Sequence, residues 1–156
     1  DDSYLQLQIN EQSRFSYEEG IRQLLRHDPD VIMIGEIRDV STARMVLRCA
    51  LSGHMVFTTV HAKSCEETLK RLEELGIRKE DLKGTLSAVC AQRIYKRKKG
   101  KGRVCLYEIL EKKELSGYFQ NNELDKKHRT IFDIIQNAAD KGIIDKEDAK
   151  LDLYAS

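Results

Sequence analysis

Apolar and polar residues follow three kinds of pattern along the 156 residues, and each kind predicts a different element. Residues 5–9 alternate strictly, as in a strand with one buried face. Residues 31–34 and 55–60 are continuous runs of apolar or β-branched residues, which favour strands covered on both faces in a parallel sheet. Between these runs, apolar residues recur at the helical period. The alternation of strand and helix predicts an α/β fold with a parallel sheet and right-handed crossovers.

Local signals mark where the helices begin and end. Capping residues precede five helices: Ser16 with Glu19, Ser41–Thr42, Ser64 with Glu67, Thr130 with Asp133, and Asp145. Pro29 predicts that the first helix ends near residues 27–28. The second helix is expected to bury one stripe of its surface, made of Ala43, Val46, Leu47, Ala50 and Leu51. Gly53 and Gly76 then follow the second and third helices as stop signals.

The character of the chain changes after about residue 84. Residues 88–95 and 104–110 are two strand-like runs on either side of a turn rich in lysine and glycine, which predicts a β-hairpin. Beyond residue 111 the pattern is helical. We therefore predict two parts: an α/β domain over residues 1–110, and a small C-terminal helical subdomain over residues 111–156.

Composition and charge narrow the class of protein. Hydrophobic residues make up 40% and charged residues 34% of the chain, and the net charge is +1. This balance suits a soluble globular domain and argues against a general attraction to nucleic acid or membranes. Four cysteines, at positions 49, 65, 90 and 105, form no Cys-x-x-Cys pair. They are expected to be buried free thiols in elements of a cytoplasmic protein.

Polar residues follow both predicted buried strands at their carboxyl ends. Gly35 permits a tight turn after the first strand, so that Glu36 faces the crevice where α/β ligands bind. A carboxylate there can hold Mg²⁺ through a water or orient a water that attacks a phosphate. The alternative is an acid that caps the next helix. Arg38 and Asp39 are expected to form an ion pair that holds this loop.

His61 follows the second buried strand and should project from the same edge as Glu36. An imidazole there can donate to a terminal phosphate oxygen, and Thr58 and Thr59 add hydroxyl groups nearby. His54 lies at the opposite end of that strand and should be far from the phosphate. The alternative for either histidine is a partly buried residue whose hydrogen bonds are satisfied within the fold.

Several ordered motifs resemble one family. Residues 28–39 are similar to the Walker B region of the secretion ATPases that drive type II secretion and type IV pilus assembly. Residues 52–62 resemble the histidine box of that family, and residues 92–94 its Gln-Arg-Leu element. Residues 5–10 are similar to the strand after its aspartate box. With residues 61–64, these features most resemble the competence branch, which builds a DNA-uptake pseudopilus in Gram-positive bacteria.

The resemblance implies specific roles. Glu36 would be the Walker B acid and hold Mg²⁺ through a water, and His61 would contact the phosphate. Both are candidate catalytic residues, and with Gly35 and Arg38 they form the candidate ATP-binding set. Arg38 and Arg93 would stabilise the site or the contact between subunits. The implied fold is part of a RecA-like sheet with flanking helices, a β-hairpin and a small helical subdomain.

The chain also departs from the family pattern. Its 156 residues contain no Gly-x-x-x-x-Gly-Lys-[Ser/Thr] loop to hold phosphates. Most of the aspartate box and the family's N-terminal domain are missing as well. We therefore expect a carboxy-terminal part of a longer motor that hydrolyses no ATP alone. Residues 96–103 occupy the position of the tetracysteine zinc element that many relatives carry, so zinc is not expected.

The resemblance also implies partners and a location. The complete motor would be a hexamer in the cytoplasm, at the inner face of the membrane, where it acts on a membrane platform protein. A truncated parallel sheet has an open edge and an exposed apolar face, so the 156 residues alone should dimerise or swap elements.

The basic run offers a second interpretation of the chain. Six of the eight residues in 96–103 are Lys or Arg, a density that attracts phosphate at low salt. The chain could therefore be a non-catalytic interaction or DNA-binding module. No aromatic residue lies in the run to stack on bases, so direct nucleic-acid binding is not favoured. A solvated turn, or a contact with an acidic protein surface, is the preferred interpretation.

Overall fold

The computed structural model describes residue 6 and residues 17–154. The strand predicted at residues 5–9, apart from Gln6, and the capping residue Ser16 lie outside these residues. The helices are α1 Tyr17–Leu25, α2 Val40–Leu51, α3 Cys65–Glu74, α4 Lys79–Thr85, α5 Lys112–Asn121, α6 Ile131–Asp140 and α7 Lys146–Leu153. The strands are β1 Val31–Ile34, β2 Met55–Thr58, β3 Ala88–Lys96 and β4 Arg103–Glu111.

Strands β1 and β2 pair in parallel, as the apolar runs predicted, and α2 is the crossover between them. The register joins Val31 to Met55 and Ile34 to Thr58. Helices α1 and α2 cover one face of this pair through a buried cluster made of Ile21, Ile32, Ile34, Met45 and Cys49. The mixed α/β fold with a parallel sheet is therefore confirmed.

The opposite face of the pair contradicts the prediction of strands covered on both sides. Met33 is 74% exposed and Phe57 is 57% exposed, and Val31 and Met55 are exposed on the same face. The physical reason is that α1 and α2 contact the alternate residues Ile32 and Ile34. We call the four exposed residues Val31, Met33, Met55 and Phe57 the open sheet face.

The predicted buried stripe of α2 is confirmed in part: Ala43 is buried, and Val46 and Leu47 are half-buried against the core, but the stripe does not extend to Leu51. Leu51 is exposed, whereas Thr42, Met45 and Cys49 are buried beside Ala43. The helix serves two clusters: Met45 and Cys49 pack on the parallel strands, and Ala43 packs with α3 and α4.

The predicted hairpin is confirmed and lies at the centre of the remaining structure. Strands β3 and β4 pair antiparallel from Ala88–Glu111 to Lys96–Arg103. One face of the hairpin packs at one end against α3 and α5, through Val89, Ala91 and Leu110. At the turn end, Tyr95 packs against α6 and α7. The hairpin therefore joins the helices before it to the helices after it, and the predicted division at residue 110 stays a prediction.

The predicted capping signals are largely confirmed. The side chains of Ser64, Thr130 and Asp145 accept backbone hydrogen bonds at the starts of α3, α6 and α7. Helix α2 begins at Val40, one residue before the predicted start, and its cap is Asp39, whose Oδ1 accepts from the Thr42 amide at 2.7 Å. Ser41 and Thr42 lie within the first turn, and the Asp39 carboxylate at the N-terminus also interacts favourably with the helix dipole.

The four cysteines divide into two classes. Each lies in a helix or strand, as predicted, but only Cys49 and Cys65 are buried, whereas Cys90 and Cys105 are exposed. The exposed two lie on the outward-facing positions of the hairpin. Burial raises the pKa of the Cys65 thiol to about 12. Within residues 17–154, no helix is both long enough and apolar enough to cross a membrane.

Candidate functional site

The turns that follow β1 and β2 are joined by two hydrogen bonds. The Thr59 hydroxyl donates to the Gly35 carbonyl oxygen at 2.7 Å, and the Ile37 amide donates to the Thr59 carbonyl oxygen at 2.9 Å. These bonds continue the contact between the strands beyond their last paired residues. The segment from Thr59 to Ser64, which we call the His61 loop, is therefore held beside the turn that carries Glu36.

Glu36 and His61 contact each other across this junction. The Nε2 atom of His61 lies 3.0 Å from Oε2 of Glu36, although 25 residues separate them in the chain. The second carboxylate oxygen of Glu36 accepts from Nη2 of Arg38. Glu36 is 22% exposed and His61 is 91% exposed. The structure thus brings together the two residues that the strand ends predicted, with Arg38 beside them.

The electrostatics of the site favour an ionised Glu36. The pKa of its carboxyl lies below the usual range, chiefly because of the hydrogen bond from Arg38, with His61 adding to the effect. A carboxylate in this state accepts hydrogen bonds and can orient a water. The predicted ion pair between Arg38 and Asp39 was wrong, because Arg38 contacts Glu36 and Asp39 caps α2.

A cleft of about 480 Å³ opens beside the pair. It is lined by Ile37, Arg38, Val60, His61, Glu67, Lys70, Arg71 and Glu74. On the α3 wall the charges are paired, since Lys70 lies 2.7 Å from Glu66 and Arg71 lies 3.1 Å from Glu74. The opposite wall contributes Arg38, from the turn after β1, and His61, from the His61 loop. These two side chains are suited to contact an anion in the cleft.

The donor set suits a metal ion held indirectly. Among the described residues, no group of three or more His, Cys, Asp or Glu side chains could hold a metal ion. Glu36 offers one carboxylate at the strand ends, which fits contact with Mg²⁺ through a bridging water better than a closed set of protein ligands.

Three other polar residues were considered near the site: His54, Thr58 and Thr59. The His54 Nδ1 atom lies 2.9 Å from the Ser52 hydroxyl, at the end of α2, so this histidine is remote from Glu36 as predicted. The hydroxyl of Thr59 joins the two turns. The hydroxyl oxygen of Thr58 is buried and finds no hydrogen-bond partner among the described residues.

Arg93 lies behind the His61 loop. Its Nη2 donates to the Lys63 carbonyl oxygen at 3.0 Å, and its Nε donates to Oδ1 of Asp152 in α7 at 3.3 Å. The side chain is 24% exposed. Within this chain Arg93 therefore bridges a loop to a helix, and its predicted part in a subunit contact stays a prediction.

A second acid–imidazole pair was missed by sequence reasoning. Glu108 in β4 is fully buried, and its Oε1 lies 3.1 Å from Nε2 of His128. Its Oε2 accepts from the backbone amides of Ile131 at 3.0 Å and Cys65 at 3.4 Å. The available signal was the alternation of side chains along β4, which puts Glu108 on the same face as Val104, Leu106 and Leu110. The sequence did not show which face of β4 would be buried, because the other face also carries apolar residues.

The basic turn contacts the C-terminal helices. The Lys98 amide donates to the Ile143 carbonyl oxygen at 2.9 Å, and Lys98 Nζ lies 3.5 Å from Asp145. Lys98 is thus paired with an acid of the C-terminal helices.

The chain matches the family model described as type II/IV secretion system protein over residues 1–151. It is similar to the competence protein ComGA of Halalkalibacterium halodurans, at 38% identity over 96% of this chain and 40% of that protein. The ComGA protein of Bacillus subtilis is 31% identical over 92% of this chain and 46% of its own length. The chain therefore spans less than half the length of these relatives.

Solved structures agree with the fold. The pilus retraction motor PilT with bound ADP aligns with a TM-score of 0.75 at 30% identity, over 88% of this chain and 43% of that one. The ATPase DotB of Legionella pneumophila aligns with a TM-score of 0.70 at 27% identity, over 90% of this chain and 43% of that one.

Proposed function

The chain belongs to the type II/IV secretion system protein family, and on that premise we propose that it is part of a motor ATPase that assembles a pseudopilus for DNA uptake. Two relatives are competence proteins, another is a type IV pilus assembly ATPase, and a structural neighbour is a pilus motor with bound ADP. Competence is favoured over secretion because two competence relatives align over more than nine-tenths of the chain, whereas a type II secretion relative aligns over 59% of it.

The contact between Glu36 and His61 carries the proposal. Their side chains meet at 3.0 Å where two parallel strands end, the edge at which α/β proteins bind phosphate ligands. Neither residue is needed to fill the core, since both are solvent-accessible. An exposed acid and imidazole held together by two turns are therefore suited to act on a bound ligand.

Each residue has a role that follows from its position. Glu36, ionised beside Arg38, accepts a hydrogen bond from a water and orients it for attack. His61 donates from Nε2 to the Glu36 carboxylate. In its protonated form the Nδ1 atom, which faces solvent, also carries a proton and can donate to a phosphate oxygen. Arg38 neutralises the Glu36 carboxylate and adds positive charge to the wall of the cleft that it shares with His61. Mg²⁺, when bound, would neutralise charge on the phosphates.

The 156 residues alone are expected to bind ATP weakly and to hydrolyse none. They lack the phosphate loop, whose backbone amides and lysine supply most of the stabilisation of a transferring phosphoryl group. Calorimetry with ATP and Mg²⁺ tests this expectation. Micromolar binding by the isolated chain would contradict it.

The decisive experiment uses a longer protein that includes a phosphate-binding loop. Glu36→Gln should abolish ATP hydrolysis while largely sparing ATP binding, because the amide keeps the shape but cannot act as an anionic acceptor. Glu147→Gln is the matched control, since Glu147 is an exposed glutamate paired with Lys150 and does not line the cleft. Near-normal hydrolysis by Glu36→Gln would refute the proposed site.

The open sheet face supports a proposal about assembly. Its four apolar residues would be shielded in the complete motor, for which we propose a cytoplasmic hexamer at the inner face of the membrane that acts on a platform protein. The 156 residues alone should instead self-associate as a dimer. Light scattering across micromolar concentrations tests this, with Phe57→Ser expected to weaken association. A stable monomer would contradict it.

A further inference from the structure

We infer that α6 and α7 position the His61 loop through two polar bridges, one at Arg93 and one at Glu108. Both bridges reach the loop at its junction with α3, within four residues of His61. Neither residue touches Glu36 or His61, so each would act as a positioning residue. The inference rests on the proposed function for its effect on catalysis, although the bridges themselves are structural contacts.

The first bridge runs from α7 to the loop. Asp152 accepts from Arg93 Nε at 3.3 Å and also from the Tyr95 hydroxyl, so two donors of β3 hold its carboxylate. The same Arg93 guanidinium donates to the Lys63 carbonyl oxygen at 3.0 Å. A planar guanidinium can satisfy both acceptors at once, whereas an ammonium group cannot hold the same fork.

The second bridge runs from α6 to the start of α3. The fully buried Glu108 carboxylate accepts from the first amide of α6, that of Ile131, and from the first amide of α3, that of Cys65. One carboxylate therefore joins two helix starts, each of which is a favourable place for negative charge. A displacement of α6 would break one of these bonds or move α3 with it.

Together the two bridges hold Lys63 and Cys65, and Glu67 adds a third hydrogen bond at Lys63. The Lys63 carbonyl is held by Arg93, the Lys63 amide donates to Glu67 at 2.6 Å, and the Cys65 amide is held by Glu108. On its other side the loop is joined to the Glu36 turn through Thr59. The placement of His61 opposite Glu36 is thus determined from both ends, and one end depends on the C-terminal helices.

The chain offers a matched control for this arrangement. Lys98 and Asp145 also form an ion pair between the hairpin and the start of α7. This pair lies at the basic turn. None of the hydrogen bonds or ion pairs that the structure gives for Lys98 and Asp145 involves residues 59–65. Lys98→Ala therefore loosens the same two elements without touching the loop.

The test measures hydrogen exchange and ATP hydrolysis in the longer protein with its phosphate loop. In Arg93→Ala and Asp152→Asn, the amides of Lys63 and Cys65 should exchange about tenfold faster, because the loop opens more readily. The kcat should fall by a larger factor than KM rises, since the phosphate loop supplies most of the contacts to the nucleotide and the bridges affect only the contact made by His61. Arg93→Lys should give an intermediate result, and Lys98→Ala should change neither quantity.

Two results would overturn the inference. One is unchanged exchange at Lys63 and Cys65 in both Arg93→Ala and Asp152→Asn. The other is an equal effect in Lys98→Ala, which would indicate general loosening of the helices. If the unaltered protein hydrolyses no ATP but the exchange difference remains, the proposed function fails and the positioning inference stands.

Discussion

The chain contains two acid–imidazole pairs that share a geometry and differ in surroundings. Glu36 and His61 meet at 3.0 Å, and Glu108 and His128 meet at 3.1 Å. The first pair is 22% and 91% exposed, whereas the second is 0% and 11% exposed. The same two functional groups therefore lie at nearly the same distance in both pairs, and the pairs differ in how deeply they are buried.

The remaining partners of each carboxylate explain the contrast. Glu36 completes its hydrogen bonds with Arg38, a solvent-exposed side chain from its own turn. Glu108 completes them with backbone amides from two helices that are distant in the chain. Water can replace the partners of Glu36, but nothing can replace those of Glu108 without disrupting the fold. Stability should therefore depend on the buried pair, and chemistry on the exposed one.

The largest expected effect comes from Glu108→Gln. The substitution places an amide NH₂ group among backbone donors, and it should lower the free energy of unfolding by about 3 kcal/mol. Urea denaturation measures this, and faster labelling of the Cys65 thiol, which adjoins Glu108, gives a local readout. Glu123→Gln, at an exposed position, is the control. A loss no greater than that of the control would contradict the structural role of the buried pair.

A smaller loss is expected from His128→Ala. Glu108 would keep its two backbone amides and lose one hydrogen bond to a charged acceptor, which stabilises by about 2 kcal/mol. The double variant with Glu108→Gln should be less destabilised than the sum of the single changes, because the two residues share one interaction. Strict additivity in urea denaturation would show that the pair is not coupled.

Little change in stability is expected from Glu36→Gln. Its contacts with Arg38 and His61 are exposed, and such ion pairs contribute little to folding. The urea midpoint should match that of the unaltered protein, even though the same substitution is proposed to abolish hydrolysis. A midpoint shift as large as that of His128→Ala would remove the contrast between the two pairs.

The smallest effect is a shift in one titration. Because Arg38 and His61 hold the pKa of Glu36 below its usual range, the stability that this group contributes is complete above the ordinary glutamate pKa. It is lost as the pH falls through the lowered value. Carboxyl NMR titration should show a larger upward shift in Arg38→Ala than in His61→Ala, since Arg38 is the leading cause. The reverse order would assign the dominant interaction to His61.

Local patterns predicted most of the elements because their signals lie within a few residues. At the caps of Ser64, Thr130 and Asp145, residues two or three positions apart supply both partners, and the hairpin is marked by the short turn between its two strands. The errors arose where a distant element decided the outcome. Met33 is exposed because the described helices cover only the other face of its strand, and Leu51, the last residue of α2, packs in none of the buried clusters among the described residues.

The order of residues alone determined that Glu36 and His61 would meet, because parallel strands end at one edge and each residue follows such an end. Only the tertiary structure decided that Glu108 would be buried between two helix starts and that Arg93 would reach the His61 loop. Those contacts join residues 23 to 59 positions apart, and they depend on which face of the hairpin the helices cover. No local pattern encodes that choice, because both faces of β4 carry apolar residues.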